Sequence, residues 1–229
     1  MSAGAPGCIH EEAGWRGSDD PRASLLHTLR AMGAARLNVG TSGNASQRLE
    51  GGRMLISPSG MPAERCRAED MVVVEADGRY AGARAPSSEW QLHRDVYAAF
   101  PAAGALLHAH APFATALACQ RLDIPAFHYM IARFGGTTVR CARYATFGTQ
   151  ALSDATVAAL QERSACLLAN HGMVVLGRDL EHALAMAIEF ETLCEQYWRT
   201  LQLGEPVLLS EEEMAEVIER FKWYGKPRA

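Results

Sequence analysis

Two histidines separated by one residue, His108-Ala109-His110, close an apolar run that begins at Ala105. On a β-strand, positions i and i+2 face the same way, so both imidazoles can turn toward one metal ion. A third histidine, His171, sits in an Asn170-His171-Gly172 turn between two β-type runs. Three neutral imidazoles with an open coordination position make a catalytic zinc arrangement, and nitrogen ligands also suit other divalent ions such as Mn2+ or Co2+. His-x-His also occurs by accident, so this spacing alone leaves metal binding and an ordinary pair of histidines both open. His10, His27, His128 and His182 have no partner spacing and read as ordinary surface or core residues. His93 follows Glu89 by four residues, which fits a simple i, i+4 pair on a helix.

Three polar, glycine-containing segments could cradle an anion. They are Gly40-Thr41-Ser42-Gly43-Asn44, Ser57-Pro58-Ser59-Gly60, and Ser87-Ser88 at a helix start. Glycine lets the backbone approach an anion closely, and free amides at a helix N-terminus point toward one. Hydroxyls and the Asn amide add donors. Each segment also has a plain structural reading. Gly43-Asn44 and Ser59-Gly60 fit turns, and Ser88 with Gln91 fits a capping box. Glu89, beside the serine pair, is either a partner for the helix dipole or a general base.

These groups need a scaffold, and 229 residues with 48% hydrophobic content suffice for one core. A net charge of -4 gives no electrostatic footprint for nucleic acid or a membrane surface. No apolar run approaches the roughly 20 residues that span a bilayer. Residues 1–21 read as a mobile tail without signal-peptide character, ahead of one domain over residues 22–229. Six scattered cysteines without a Cys-x-x-Cys pair fit reduced thiols in the cytoplasm.

Hydrophobic spacing predicts helices over 23–35, from Pro86 to about Phe100, 112–120, 152–163 with Ser153 as a cap, and 180–203. A last helix follows the Ser210/Glu213 capping-box pair and ends near Tyr224. Short strands are expected at 54–57, 71–75, 105–110, 137–142, 166–169 and 173–176, with a hairpin turn at Asp77-Gly78. Such mixing favours a single three-layer α/β/α domain around a mixed or mainly antiparallel sheet.

Seven segments occur in a telling order. They are Asn38–Asn44, Ser57–Met61, Pro86–Trp90, His108–Ala111, His128–Ala132, Tyr144–Thr149 and Asn170–Gly172. Together they closely resemble the class II aldolase/adducin family, in its L-fuculose-1-phosphate aldolase branch, from about Ser24 to Tyr224. The resemblance implies an α/β/α sandwich with a mainly antiparallel sheet, and a homotetramer with active sites at subunit interfaces. It makes His108, His110 and His171 the zinc ligands, and Glu89 the catalytic acid/base that also touches zinc when no substrate is bound. Thr41, Gly43, Asn44, Ser59, Gly60, Ser87 and Ser88 fall where the family binds substrate phosphate. Tyr129 matches a catalytic tyrosine contributed to a neighbouring subunit's site, and Phe147 and Tyr224 fall at the aldehyde end.

The implied reaction is retro-aldol cleavage of a ketose 1-phosphate to dihydroxyacetone phosphate and a small aldehyde. L-Fuculose 1-phosphate and 5-deoxyribulose or 5-(methylthio)ribulose 1-phosphate share the phosphate end and are equally compatible with these motifs. No lysine sits in the motifs to form a Schiff base. Arg133 and Arg143, flanking the aldehyde region, depart from the pattern. The alternatives are a sugar-phosphate 4-epimerase or a methylthioribulose-1-phosphate dehydratase of the same superfamily. An adducin-like interaction domain without enzymatic activity is a further one, and it should lack the histidines or Glu89.

Overall fold

The computed structural model describes residues 20–223. Of the expected tail, only Asp20 and Pro21 are described. The Asp20 carboxylate accepts the Arg22 amide and caps helix α1, Pro21–Ala34. Proline suits the first helical position because its missing N–H would have no partner there. Tyr224 lies outside the described residues.

The strands are β1 (Asn44–Arg48), β2 (Met54–Ile56), β3 (Val72–Val74), β4 (Ala105–Ala109), β5 (Cys141–Ala142), β6 (Ala165–Leu168) and β7 (Gly172–Gly177). They form one sheet in the order β3-β2-β1-β4-β7-β6-β5, antiparallel except for the β5–β6 pair. The other helices are α2 (Trp90–Ala99), α3 (Pro112–Ala118), α4 (Gln150–Ala159), α5 (Leu180–Leu203) and α6 (Glu211–Phe221).

Alternation along β4 separates two cores. Ala105, Leu107 and Ala109 pack with residues of α1, α3 and α5, while Leu106 packs with residues of α2 and α4. Helices therefore cover both sheet faces, which is the expected α/β/α sandwich. His108 shares the Leu106 side of the strand and so faces α2. None of the described helices is long and apolar enough to cross a membrane.

Several local expectations differ from the structure. β1 is not among the expected strands, since the turn ends at Asn44 and Asn-Ala-Ser-Gln-Arg has no β-branched or aromatic residue. Pairing with β2 on one side and β4 on the other makes it a strand. The 137–142 strand shrinks to β5, with Val139 bridging Ile124 instead. α4 starts at Gln150, and its cap is Thr149, whose side chain accepts the Leu152 amide. Ser153 is buried inside that helix and donates to Asp95 at 2.6 Å. Glu89, not Ser88, occupies the α2 cap position, and no side chain caps it.

Candidate functional site

β4 delivers His108, and the chain leaving it delivers His110. The backbone N–H of His110 is held by Asn38 Oδ1 at 3.0 Å, which ties the strand end to the loop before β1. His171 arrives on the turn between β6 and β7. Asn170 adopts a left-handed conformation there (φ 52°), which asparagine tolerates. Gly172 is required for close approach, since a Cβ on it would lie 2.3 Å from the Ala109 carbonyl oxygen. The three imidazole rings stand edge to face with centroids 4.7 to 4.9 Å apart. One ligand atom from each lies within 4.8 Å of the others.

Glu89 enters from the start of α2 and is buried. Its Oε2 lies 3.2 Å from His108 Nε2, and its Oε1 lies 3.6 Å from His171 Nε2. The protons of this cluster can be assigned. The Met173 carbonyl, 3.0 Å from His108 Nδ1, can only accept, so Nδ1 carries the hydrogen. Burial, and then the neighbouring His110, lowers the His108 pKa to about 3, so the ring is neutral and Nε2 is a bare lone pair. That lone pair faces His110 Nε2 at 3.1 Å and the Glu89 carboxylate. Burial also lowers His110, and takes His171 to about 4. Among the described residues, Glu89 Oε1 is buried with no hydrogen-bond partner. Lone pairs thus converge with too few protons between them, and a divalent cation fits that donor set.

The cluster opens into a cleft of 360 Å³. Ser57–Gly60 and Pro86–Ser88 lie side by side along it, with Ser87 donating its backbone N–H to Ser57 O (2.9 Å) and Ser59 donating to Ala85 O (3.0 Å). Thr41, Gly43, Asn44, Ser59, Gly60, Ser87 and Ser88 all line this cleft together with Glu89, His110 and His171. The α2 N-terminus adds its positive dipole end at the same place. Asn44 has one side-chain N–H left, because Nδ2 donates to Glu89 Oε2 (2.9 Å) and Oδ1 meets His93 Nε2 (2.5 Å). His93 is therefore fully buried against Asn44 and Ser46, which corrects the simple pairing with Glu89.

Phe147 lines the rim and is 63% exposed. Tyr129 is not brought there. It is 49% exposed, stacks on Phe221 and lines a separate groove with Met130, Arg133 and Val217. Sequence reasoning missed Tyr144 and Asn170 as lining residues, though both lie within segments already singled out. Arg121 links them, donating to Asn170 Oδ1 at 2.6 Å and placing its guanidinium 5.8 Å from the Tyr144 ring centre.

Known proteins share this arrangement of sequence and fold. The family model for the class II aldolase and adducin N-terminal domain matches residues 23–198. A 5-methylthioribulose-1-phosphate/5-deoxyribulose-1-phosphate aldolase of Rhodospirillum rubrum is 49% identical over 204 residues, covering 89% of this chain and 92% of the relative. An L-fuculose phosphate aldolase of Escherichia coli K12 is 43% identical over 202 residues, covering 88% and 94%. A solved L-fuculose 1-phosphate aldolase superposes with a TM-score of 0.85 at 38% identity, covering 90% of this chain and 98% of that one. The histidine cluster, the cleft and the three-layer fold are thus those of a chain that belongs to the class II aldolase/adducin family.

Proposed function

We propose that the protein cleaves a ketose 1-phosphate by a metal-dependent retro-aldol reaction, giving dihydroxyacetone phosphate and a small aldehyde. One observation carries this reading. A single cleft has a lone-pair-rich histidine cluster and a buried carboxylate beside a polar cradle suited to a phosphate. The relatives named above support it, being aldolases of such substrates by name.

His108, His110 and His171 are the residues that would hold the ion, proposed as Zn2+, with Glu89 adjoining. When bound, such an ion supplies Lewis acidity toward the carbonyl and hydroxyl oxygens of the ketose. The rest of the work falls to the protein. Thr41, Gly43, Ser59, Gly60, Ser87 and Ser88 grip the phosphate and hold the reacting carbons near Glu89. Cleavage leaves the electron pair of the broken carbon–carbon bond on the dihydroxyacetone fragment, and Glu89 delivers a proton to that carbon. In the reverse direction Glu89 removes it. The aldehyde oxygen needs a second proton-handling group, and Tyr129 is proposed for it. Because Tyr129 lies outside the cleft of its own chain, it would serve the site of a neighbouring copy in a homotetramer. Phe147 would face the aldehyde, together with Tyr224.

The test is release of dihydroxyacetone phosphate from L-fuculose 1-phosphate and from 5-deoxyribulose 1-phosphate, each with and without a chelator. Release that the chelator abolishes supports the proposal, and the ratio of kcat/KM values selects the substrate. An epimer or a dehydrated product without free aldehyde would instead assign the protein to the epimerase or dehydratase branch.

A further inference from the structure

A buried row of side chains runs from Glu89 away from the cleft, into the layer between β1 and α2. Asn44 Nδ2 lies 2.9 Å from Glu89 Oε2, Asn44 Oδ1 lies 2.5 Å from His93 Nε2, and His93 Nδ1 lies 2.6 Å from Ser46 Oγ. Ser46 Oγ in turn lies 2.8 Å from the Tyr97 hydroxyl. Asn44, Ser46, His93 and Tyr97 are all buried, and of the four only Asn44 also borders the cleft.

The direction of every proton follows from the end at Glu89. A carboxylate oxygen accepts, so the Asn44 amide nitrogen faces it and the Asn44 oxygen faces His93. His93 Nε2 must then carry a hydrogen. Burial lowers the His93 pKa to about 3, so the ring is neutral and its Nδ1 accepts. Ser46 therefore donates to His93 and has no proton left for Tyr97. Tyr97 consequently donates to Ser46. All four donors point toward Glu89.

We propose that His93 is a positioning residue for proton transfer. By donating from Nε2 it locks the Asn44 amide in one orientation, which pins Glu89 Oε2 and leaves Oε1, the oxygen without a hydrogen-bond partner among the described residues, to exchange the proton with substrate. Without His93 the Asn44 amide is free to flip and present its oxygen to the carboxylate. The two acceptors then repel, and Glu89 loses its fixed aim. Neither His93 nor Ser46 or Tyr97 lines the cleft. This inference rests on the reading of Glu89 as the proton carrier.

Two measurements test it. The first is the tautomer of His93 in the metal-free protein, read from its imidazole 15N shifts by NMR. A neutral Nε2–H ring between pH 5 and 8 is expected, and an Nδ1–H or doubly protonated ring would overturn the lock. The second uses His93→Gln and Tyr97→Phe, with metal content and melting temperature checked for each. Exchange of the transferable hydrogen of dihydroxyacetone phosphate into deuterated water, without any aldehyde, should slow about 10- to 100-fold in His93→Gln. The KM for the ketose 1-phosphate should change less than the exchange rate does in the same variant, since Asn44 is the cradle residue that His93 touches and Thr41, Gly43, Ser59, Gly60, Ser87 and Ser88 stay in place. Tyr97→Phe, at the far end, should fall between it and the parent. Exchange at the parent rate in a folded, metal-loaded His93→Gln protein would refute the positioning role, and a variant that fails to fold leaves the tautomer measurement to decide. Absence of exchange in the unmodified enzyme would instead refute the role of Glu89 itself.

Discussion

Asn38 and His110 are joined by a hydrogen bond from the His110 backbone N–H to the Asn38 side-chain oxygen, at 3.0 Å. It couples the loop of the proposed phosphate cradle to a proposed metal ligand. Gly43 is what permits it. A Cβ at that position would lie 2.2 Å from Asn38 Oδ1, and the glycine has a φ of +73°.

Gly43→Ala should therefore damage both ends of the site. The positive φ alone costs about 1–3 kcal/mol for a residue with a side chain. The displaced Asn38 would also release His110. We expect a lower melting temperature, a raised KM for the sugar phosphate and weaker metal retention. Unchanged values of all three would show that the loop relaxes without disturbing Asn38.

Glu89→Gln keeps the size of the side chain and removes its capacity to carry the proton. Turnover should fall by about 10²- to 10⁴-fold, the range for a lost general acid–base group. Metal content should stay near that of the parent, because the three histidines remain. Near-normal cleavage by this variant would remove Glu89 from the chemistry.

The metal-free protein should lose stability in acid over a defined window. Burial lowers His93 and His108 from 6.5 to about 3, and lowers His171 to about 4. Between pH 6.5 and about 4 the unfolded chain binds protons at these sites and the folded chain does not. Stability is therefore full above pH 6.5 and declines as the pH falls toward the folded values. Each fully buried ring contributes up to about 1.4 kcal/mol per pH unit. A melting temperature of the chelated protein that stays level from pH 7 to pH 4 would contradict the neutral, buried state of these rings.

If Tyr129 acts on a neighbouring site, Glu89→Gln and Tyr129→Phe proteins should complement one another. Each would be nearly inactive alone. Unfolded together and refolded as a mixture, they should recover a fraction of parent activity, because some interfaces would pair an intact Glu89 with an intact Tyr129. A mixture no more active than its components would place both groups within one chain's duties, or remove Tyr129 from the reaction.

The histidine cluster and most helices are legible in the sequence because both have short-range signatures. The His-x-His spacing points to His108 on β4 and His110 just beyond its end, and hydrophobic spacing bounds α5 at Leu180 and Leu203. What escaped depends on pairing across long separations. β1 has poor intrinsic strand character, and its two neighbours impose the extended form. His93 reads from its spacing as a simple i, i+4 partner of Glu89, because helical spacing cannot show that Asn44 and Ser46 sit opposite it. Tyr129 could be flagged only by resemblance, since the isolated chain leaves it on an outer face.

The three imidazoles are carried by β4 and by the turn leading into β7, strands that pair His108 opposite Val174 near the middle of the sheet. A partly folded chain can offer the neighbouring pair His108 and His110, but the third proposed ligand, His171, arrives only once that distant pairing has closed. Pairings of high sequence separation form slowly, because loop closure must precede their reward. Capture of the proposed ion by all three histidines would thus follow the pairing of β4 with β7. Uptake of the ion by refolding protein should track completion of the central sheet, and a chain arrested before β4 meets β7 would bypass loading altogether.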